Sequence, residues 1–177
     1  MKTYHEQTRL RPATREEVEA LLKGNHVLEG ADLSGLDLSG LNFSGVRLAG
    51  AKLSGANLSQ ANFSFANLTR ARLDQVQAVR ANFNAAQAEF AVFGLAVLEE
   101  ADFRRANLRR SNFVGVRAAR ADFSQSDIYY ARFANCDLQG THFSQANLMR
   151  AVFRAADLRG SDFAGARGQA NFDRVRR

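Results

Sequence analysis

The sequence has 177 residues but only one cysteine, one proline and no tryptophan. A single cysteine excludes an internal disulfide framework and any CxxC-type zinc or redox site. The three histidines, His5, His26 and His142, lie far apart in the sequence. They form no metal-ligand pair, and we predict neither a metal site nor a cofactor.

Long apolar runs and a targeting segment are missing as well. The longest apolar stretch, residues 91–98, is far shorter than the roughly 20 residues that cross a bilayer. Residues 1–17 lack the apolar core that a signal peptide needs. These absences predict a soluble, cytoplasmic protein with no membrane partner.

Phenylalanine is abundant by contrast, with 14 copies, and such a bias indicates an internal repeat. A five-residue unit occurs 27 times in register from Leu33 to Phe163, with leucine or phenylalanine at most central positions and alanine two residues earlier in 17 units. Neither the turn of an α-helix nor the alternation of a strand matches this period. The repeat predicts a coil that turns a corner every five residues and points one large and one small side chain inward.

A period of 20 residues lies within the five-residue repeat. At this spacing phenylalanine follows phenylalanine, so four units are expected to complete one coil, with like side chains stacked from coil to coil. The predicted core column consists of Phe43, Phe63, Phe83, Phe103, Phe123, Phe143 and Phe163.

Over residues 31–165 this pattern resembles the A-(D/N)-L-x-x repeat of the pentapeptide-repeat family. The resemblance implies an all-β solenoid, a right-handed quadrilateral β-helix. We expect a leader at 1–30 with a short capping helix at 15–23, the array of 27 units at 31–165, and a C-terminal cap or tail at 166–177. Thr14 is the predicted N-cap of the helix, with Glu17 reaching back.

The ends of a solenoid expose apolar side chains and unpaired backbone. The stripe formed by Val18, Leu21 and Leu22 is expected to cover the first coil. Beyond the array the register breaks, and the sequence leaves two alternatives for Phe172 and Val175. They either fold over the last coil or pair two rods end to end as a homodimer.

The repeat is poorest at residues 76–98. Alanines at two central positions leave the core thin there, and four apolar residues occupy positions that should face water: Phe90, Val92, Leu95 and Val97. The sequence leaves open whether this segment is a bulge, a local distortion or an exposed contact surface.

The sequence contains no Ser-His-Asp or Cys-His arrangement, no glycine-rich phosphate loop and no isolated carboxylate pair, so we predict neither an enzyme nor a small-molecule substrate. The 20-residue period instead alternates arginine with aromatic residues on one side of the rod. This arrangement is typical of protein-binding surfaces, although the same residues also stack on one another as simple surface decoration. The candidate protein-binding residues are Arg70, Phe90, Arg109, Arg110, Tyr129, Tyr130, Met149 and Arg150.

Some pentapeptide-repeat proteins mimic DNA, bind DNA gyrase and confer resistance to quinolones or toxins, which gives one alternative function. Residues 31–165 carry 12 acidic and 15 basic residues, whereas duplex DNA as long as the expected rod would show about 19 negative charges. The charge therefore argues against mimicry. The positive charge forms no continuous groove, which argues against a nucleic-acid partner.

A rigid protein-binding module is the interpretation that the sequence favours. Residues 14–45 resemble the leader and first repeats of pentapeptide-repeat proteins from bacterial type VI secretion loci. In such loci a small protein without catalytic residues is commonly an immunity protein for a toxin or an adaptor for an effector. The resemblance implies a non-catalytic immunity or accessory protein with a toxin or effector partner.

Overall fold

The structure, a computed structural model, describes residues 10–24 and 27–177. One helix, α1 (Arg15–Leu22), precedes a continuous series of parallel β-bridges that begins at Val27. From Val27↔Arg47 to Asn147↔Arg167 each bridge joins residues 20 apart, so every coil lies on the one before it. Within the described residues each side of a coil contributes one bridging residue, and no longer strand forms.

The backbone amides of each unit are used in a fixed way, as the unit centred on Phe63 shows. The Ala61 amide closes the preceding corner, and the Asn62 amide donates to the coil before it. The Phe63 and Phe65 amides donate to the coil after it, with N···O distances of 2.6 and 3.0 Å. The Ser64 amide donates to the Asn62 Oδ1, at 3.0 Å. All five amides are thus paired, which is the requirement for a stable buried backbone.

The Asn and Asp residues that precede many central positions therefore have a structural role. On one side of the rod these side chains accept the amide of the residue two positions later, at 2.8–3.0 Å. Asn and Asp suit this role because their short side chains fold back onto the local backbone. The residues concerned are Asn42, Asn62, Asn82, Asp102, Asp122 and Asp162.

The core is built from two columns of phenylalanine on opposite sides of the coil. In the first column, Phe43 to Phe163, successive ring centroids lie 4.6–5.1 Å apart and the rings are nearly parallel. In the second column, which begins at Phe93, the spacing is 4.6–5.2 Å. Rings of the two columns meet edge to face at 5.3–5.9 Å. Leucine and alanine fill the other two sides, so the interior is closed.

Helix α1 covers the first coil. The Thr14 Oγ1 accepts the Glu17 amide at 3.3 Å, and Glu17 in turn accepts the Ala13 amide at 2.7 Å. Val18 is fully buried, while Leu21 and Leu22 pack half-buried against the core. The helix ends at Leu22, one residue earlier than the sequence predicts. It is far too short to span a bilayer, and the described residues contain no other helix.

The coil continues beyond the end of the predicted array. The last bridges join residues 19 apart, Val152↔Asn171 and Asp157↔Arg176, so one residue is missing from this coil. Gly168 makes the shortcut possible, because its φ is +93° and a Cβ there would lie 2.6 Å from the Met149 nitrogen. Phe172 then stacks on the second phenylalanine column at 5.1 Å. Residues 166–176 are therefore part of the β-helix.

The weak segment at 76–98 contains no bulge. Its bridges Gln77↔Val97 and Arg72↔Val92 keep the 20-residue register. Leu95 is 64% exposed, whereas Val97 is only 8% exposed and belongs to the packed interior. The expectation that Val97 faces water is wrong, because its side chain is almost completely covered.

Polar residues at small inward positions are all hydrogen-bonded. The hydroxyls of Ser111, Ser126 and Thr141 each donate to the carbonyl three residues earlier, at 2.6 Å. The Cys136 Sγ donates to the Phe113 carbonyl at 3.0 Å. Burial raises the pKa of the Cys136 thiol to about 12.

Cys136 should therefore be unreactive in the folded protein. Only the thiolate attacks a disulfide reagent, and the raised pKa lowers its population at pH 8 on the order of 1,000-fold relative to an ordinary cysteine. We expect labelling by Ellman's reagent to be slower by at least this factor in buffer than in guanidinium chloride. Rapid labelling of the folded protein at pH 8 would contradict this account.

The corner residues provide a test of the backbone. Every unit turns at its fifth residue, which has a positive φ: +55° at Ala85, for example. An L-residue in this region costs about 1–2 kcal/mol, most of which glycine avoids. We expect Ala85→Gly to raise the free energy of unfolding by about 0.5–1 kcal/mol, measured by chemical denaturation.

Ala119 is the matched control, since it is also half-buried but lies one residue before a corner and outside the left-handed region. There Ala119→Gly should lower the free energy of unfolding by about 0.5–1 kcal/mol. Changes of the same sign in the two variants would mean that corner strain is not what limits stability.

Candidate functional site

Two adjoining sides of the rod carry its unusual surface residues. We define side B by residues 66–70, 86–90, 106–110, 126–130 and 146–150, and side C by the five residues that follow each of these ranges. The eight candidate residues from the sequence all belong to side B, and we call them the arginine–aromatic ladder. They are Arg70, Phe90, Arg109, Arg110, Tyr129, Tyr130, Met149 and Arg150.

The lower part of the ladder is a sandwich around one ring. The Arg70 Cζ lies 5.6 Å from the centroid of Phe90, and the Arg110 Cζ lies 5.4 Å from it. These three residues occupy the same corner in successive coils, so the backbone sets their spacing. A guanidinium over an aromatic face is attracted by the ring quadrupole, worth about 0.5–1 kcal/mol at an exposed site.

The upper part of the ladder is built on two tyrosines. Tyr129 and Tyr130 meet edge to face with centroids 4.6 Å apart. The Arg109 Cζ lies 4.5 Å from the Tyr129 centroid, and the Arg150 Cζ lies 5.1 Å from the Tyr130 centroid. Arg150 also donates a hydrogen bond to the Tyr130 hydroxyl. Met149 follows Tyr129 by one coil and is 40% exposed.

The ladder arginines differ in their electrostatic partners. Arg109 forms an ion pair with Asp127, with 2.9 Å between Nη1 and Oδ2, and this hydrogen bond raises the pKa of the Arg109 guanidinium. Among the described residues Arg70 and Arg110 have no carboxylate within 4 Å. Their positive charges are therefore available to a partner.

Most carboxylates of the array form hydrogen bonds or ion pairs with other residues of the rod. Glu100 accepts hydrogen bonds from Arg80 at 2.7 Å and from Arg120 at 2.8 Å, and these bonds lower the pKa of the Glu100 carboxyl. Asp102 is paired in the same manner with Arg104, at 2.6 Å. In residues 10–24 and 27–177 no three His, Cys, Asp or Glu side chains lie together as a metal site would require.

Two exposed apolar side chains stand out beside the ladder. Phe65 is 66% exposed and Leu95 is 64% exposed, the largest values for large apolar residues in the described chain. Leu95 was visible in the sequence as an apolar residue at an outward position. Phe65 is an apolar residue at the same outward repeat position, but it is not among the residues predicted from the sequence.

Profiles of pentapeptide repeats match the chain in two blocks. The profile described as pentapeptide repeat region matches residues 91–163, and the profile of pentapeptide repeats in eight copies matches residues 25–48, 47–84 and 61–98. Together they span residues 25–163, far more than half of the chain. No curated protein matches the sequence closely enough to count as a relative.

Three solved structures resemble this chain to different degrees. The trypsin-treated form of QnrB1, a plasmid-mediated fluoroquinolone resistance protein, is 20% identical with a TM-score of 0.53, over 79% of this chain and 84% of QnrB1. HetL from the cyanobacterium Nostoc sp. strain PCC 7120 is 19% identical with a TM-score of 0.33, over 91% and 93% of the two chains.

Rfr23 from the cyanobacterium Cyanothece 51142 is 18% identical with a TM-score of 0.36, over 91% of this chain and 97% of Rfr23. At such identity the likeness to QnrB1 shows the fold alone, a right-handed quadrilateral β-helix. The five-residue units, the four-sided coil and the matching profiles establish that this chain belongs to the pentapeptide-repeat family.

Proposed function

We propose that this chain is a non-catalytic, rigid protein-binding module, and that its partner is a toxin or effector which it neutralises or holds as an immunity or accessory protein. The observation that carries the proposal is the arginine–aromatic ladder on side B. Arg70 and Arg110 lie on the two faces of the Phe90 ring, and neither arginine has a carboxylate partner in the described chain.

Such a surface suits binding for three physical reasons. Arginine and tyrosine are enriched among the residues that dominate protein interfaces. The stacked rings already hold the arginines in place, so less conformational entropy is lost when a partner binds. The backbone beneath is paired on both sides by neighbouring coils, so the ladder keeps its spacing. A face that is ordered before binding favours a tight complex.

DNA mimicry with gyrase as the partner is the alternative function. QnrB1, which shares the fold, is a fluoroquinolone resistance protein. A DNA mimic needs uncompensated negative charge, however, and residues 31–165 have three more basic than acidic residues. Many of the acids are neutralised locally, as Glu100 is by Arg80 and Arg120. The surface charge thus favours a partner other than gyrase.

The ladder is tested by the double variant Arg110→Gln/Tyr130→Gln. Glutamine already occupies this corner position at four places in the chain, so the fold should tolerate both changes. Tagged wild-type protein is used to capture partners from the native host, and each protein identified by mass spectrometry is then purified. We expect the double variant to bind the purified partner protein about 10- to 100-fold more weakly than the wild type does, as measured by titration.

The matched control is Arg105→Gln/Phe65→Gln, which removes one arginine and one aromatic ring at an adjoining corner. The Arg105 Nε donates a hydrogen bond to the Gln125 Oε1 at 3.4 Å, and the loss of this side chain should change the affinity less than twofold. Equal affinities for both double variants would reject the ladder as the binding face. Capture of gyrase subunits, together with protection of supercoiling from a quinolone, would support the alternative function instead.

The end-to-end homodimer predicted from Phe172 and Val175 remains a prediction. At the last described coil Leu148, Leu158, Phe163 and Phe172 line a cavity of about 450 Å³. None of the ladder residues lines this cavity, so the dimer and binding by the ladder can be tested separately.

A further inference from the structure

An apolar band crosses side C next to the ladder. From residue 90 to residue 95 the outward positions of this coil hold only apolar residues and glycine, and Val114 lies in the coil that follows. Leu95 is 64% exposed and Phe90 is 39% exposed. We define the apolar band as Phe90, Val92, Leu95 and Val114.

The Leu95 side chain is held against the following coil. Gly115 occupies the equivalent corner there, and a Cβ added at Gly115 would lie 2.8 Å from the Leu95 Cδ2. The absence of that Cβ lets the leucine lie along the neighbouring backbone while its other face stays open to solvent. The band is therefore one continuous surface across two coils.

Leu95 contributes little to the fold at this position. Its φ is +59°, in the region that favours glycine, and most of its side chain gains no burial. At the same corner of side C the neighbouring coils have Gln75 and Gly115. Every corner shares this backbone conformation, so what distinguishes Leu95 is its exposed apolar side chain, a feature that a binding role would explain.

Arginines surround the apolar band. Arg72 and Arg117 are paired with Asp74 and Glu99, at 3.3 and 3.7 Å. Three others have no carboxylate within 4 Å in the described part of the chain, and we call them the basic rim: Arg70, Arg110 and Arg132. An apolar centre with cations around it attracts carboxylates and repels basic partners.

We propose that the apolar band and the basic rim form a docking site for an acidic amphipathic protein segment. Its aliphatic or aromatic side chains would pack on Val92 and Leu95, and its flanking carboxylates would pair with the rim. This inference rests on the proposed protein-binding function and specifies the chemistry of the partner.

Recognition at this site uses side chains alone. The amides of Val92 and Leu95 donate to neighbouring coils, both at 3.0 Å, and the Val92 carbonyl accepts the Leu73 amide at 2.6 Å. Side C therefore offers no open strand edge, and the partner does not extend a sheet here. Side-chain substitutions consequently test the whole site.

The test begins with a phage-displayed library of random 12-residue peptides, selected on the wild-type protein. We expect the enriched peptides to combine leucine, isoleucine or phenylalanine with aspartate or glutamate. The dissociation constant of one synthetic enriched peptide is then measured by fluorescence anisotropy. Leu95→Gln should weaken its binding about 10- to 100-fold, and Arg132→Gln should weaken it less and reduce its sensitivity to salt.

Phe65→Gln is the matched control, because Phe65 is equally exposed at the same repeat position but lies outside both the band and the rim. It should leave the affinity unchanged. Enrichment of neutral or basic peptides, no enrichment at all, or equal binding to Leu95→Gln would overturn the proposal. So would a DNA duplex that binds the wild type and loses affinity in Leu95→Gln.

The ladder and the band can fail separately. If Leu95→Gln weakens peptide binding while the ladder variant retains the captured partner, the docking site stands and the ladder does not. If the ladder variant loses its partner while Leu95→Gln binds the peptide normally, the protein-binding function stands and the docking site does not.

Discussion

The hydrogen bonds between coils determine the rest of this structure. In a complete unit three of the five amides donate to neighbouring coils and one closes the corner, so the coil length is held at 20 residues. The one exception among the described coils shows how strict this requirement is. Where the last coil is one residue shorter, the chain approaches Met149 so closely that only Gly168, which has no Cβ, fits. Every residue is thereby assigned to the interior, a corner or the surface.

This assignment separates the demands of folding from those of binding. Inward residues are restricted by packing, as the parallel and perpendicular contacts of Phe103 with its neighbours show. Outward residues are less restricted, apart from the Asn and Asp side chains that accept backbone amides, because their own backbone is already paired beneath them. An arginine, tyrosine or leucine on a flat side is therefore free to vary without loss of the fold. Clusters of such residues are the natural place to look for function.

Much of the architecture was predictable because the repeat encodes it directly. The stacked column from Phe43 to Phe163 and the four-sided coil follow from identities 20 residues apart. The burial of Val97 and the shortened last coil were not predictable, because both depend on how neighbouring coils pack against each other. The sequence predicts that the ladder residues stack on one another, but it does not predict which arginine faces which ring. No cation–π contact joins Arg110 to Tyr130 in the described chain, since Tyr130 is engaged by Tyr129 and Arg150.

The corner position is shared by two adjoining sides, and this gives Phe90 a double role. It is the centre of the arginine sandwich on side B and the first residue of the apolar band on side C. A partner that follows the rod around this corner would contact both surfaces at once. Because the coils repeat at about 4.8 Å, the ligand groups of such a partner must match multiples of that spacing. The specificity of binding would then depend on the spacing of side chains on a rigid surface rather than on the shape of a pocket.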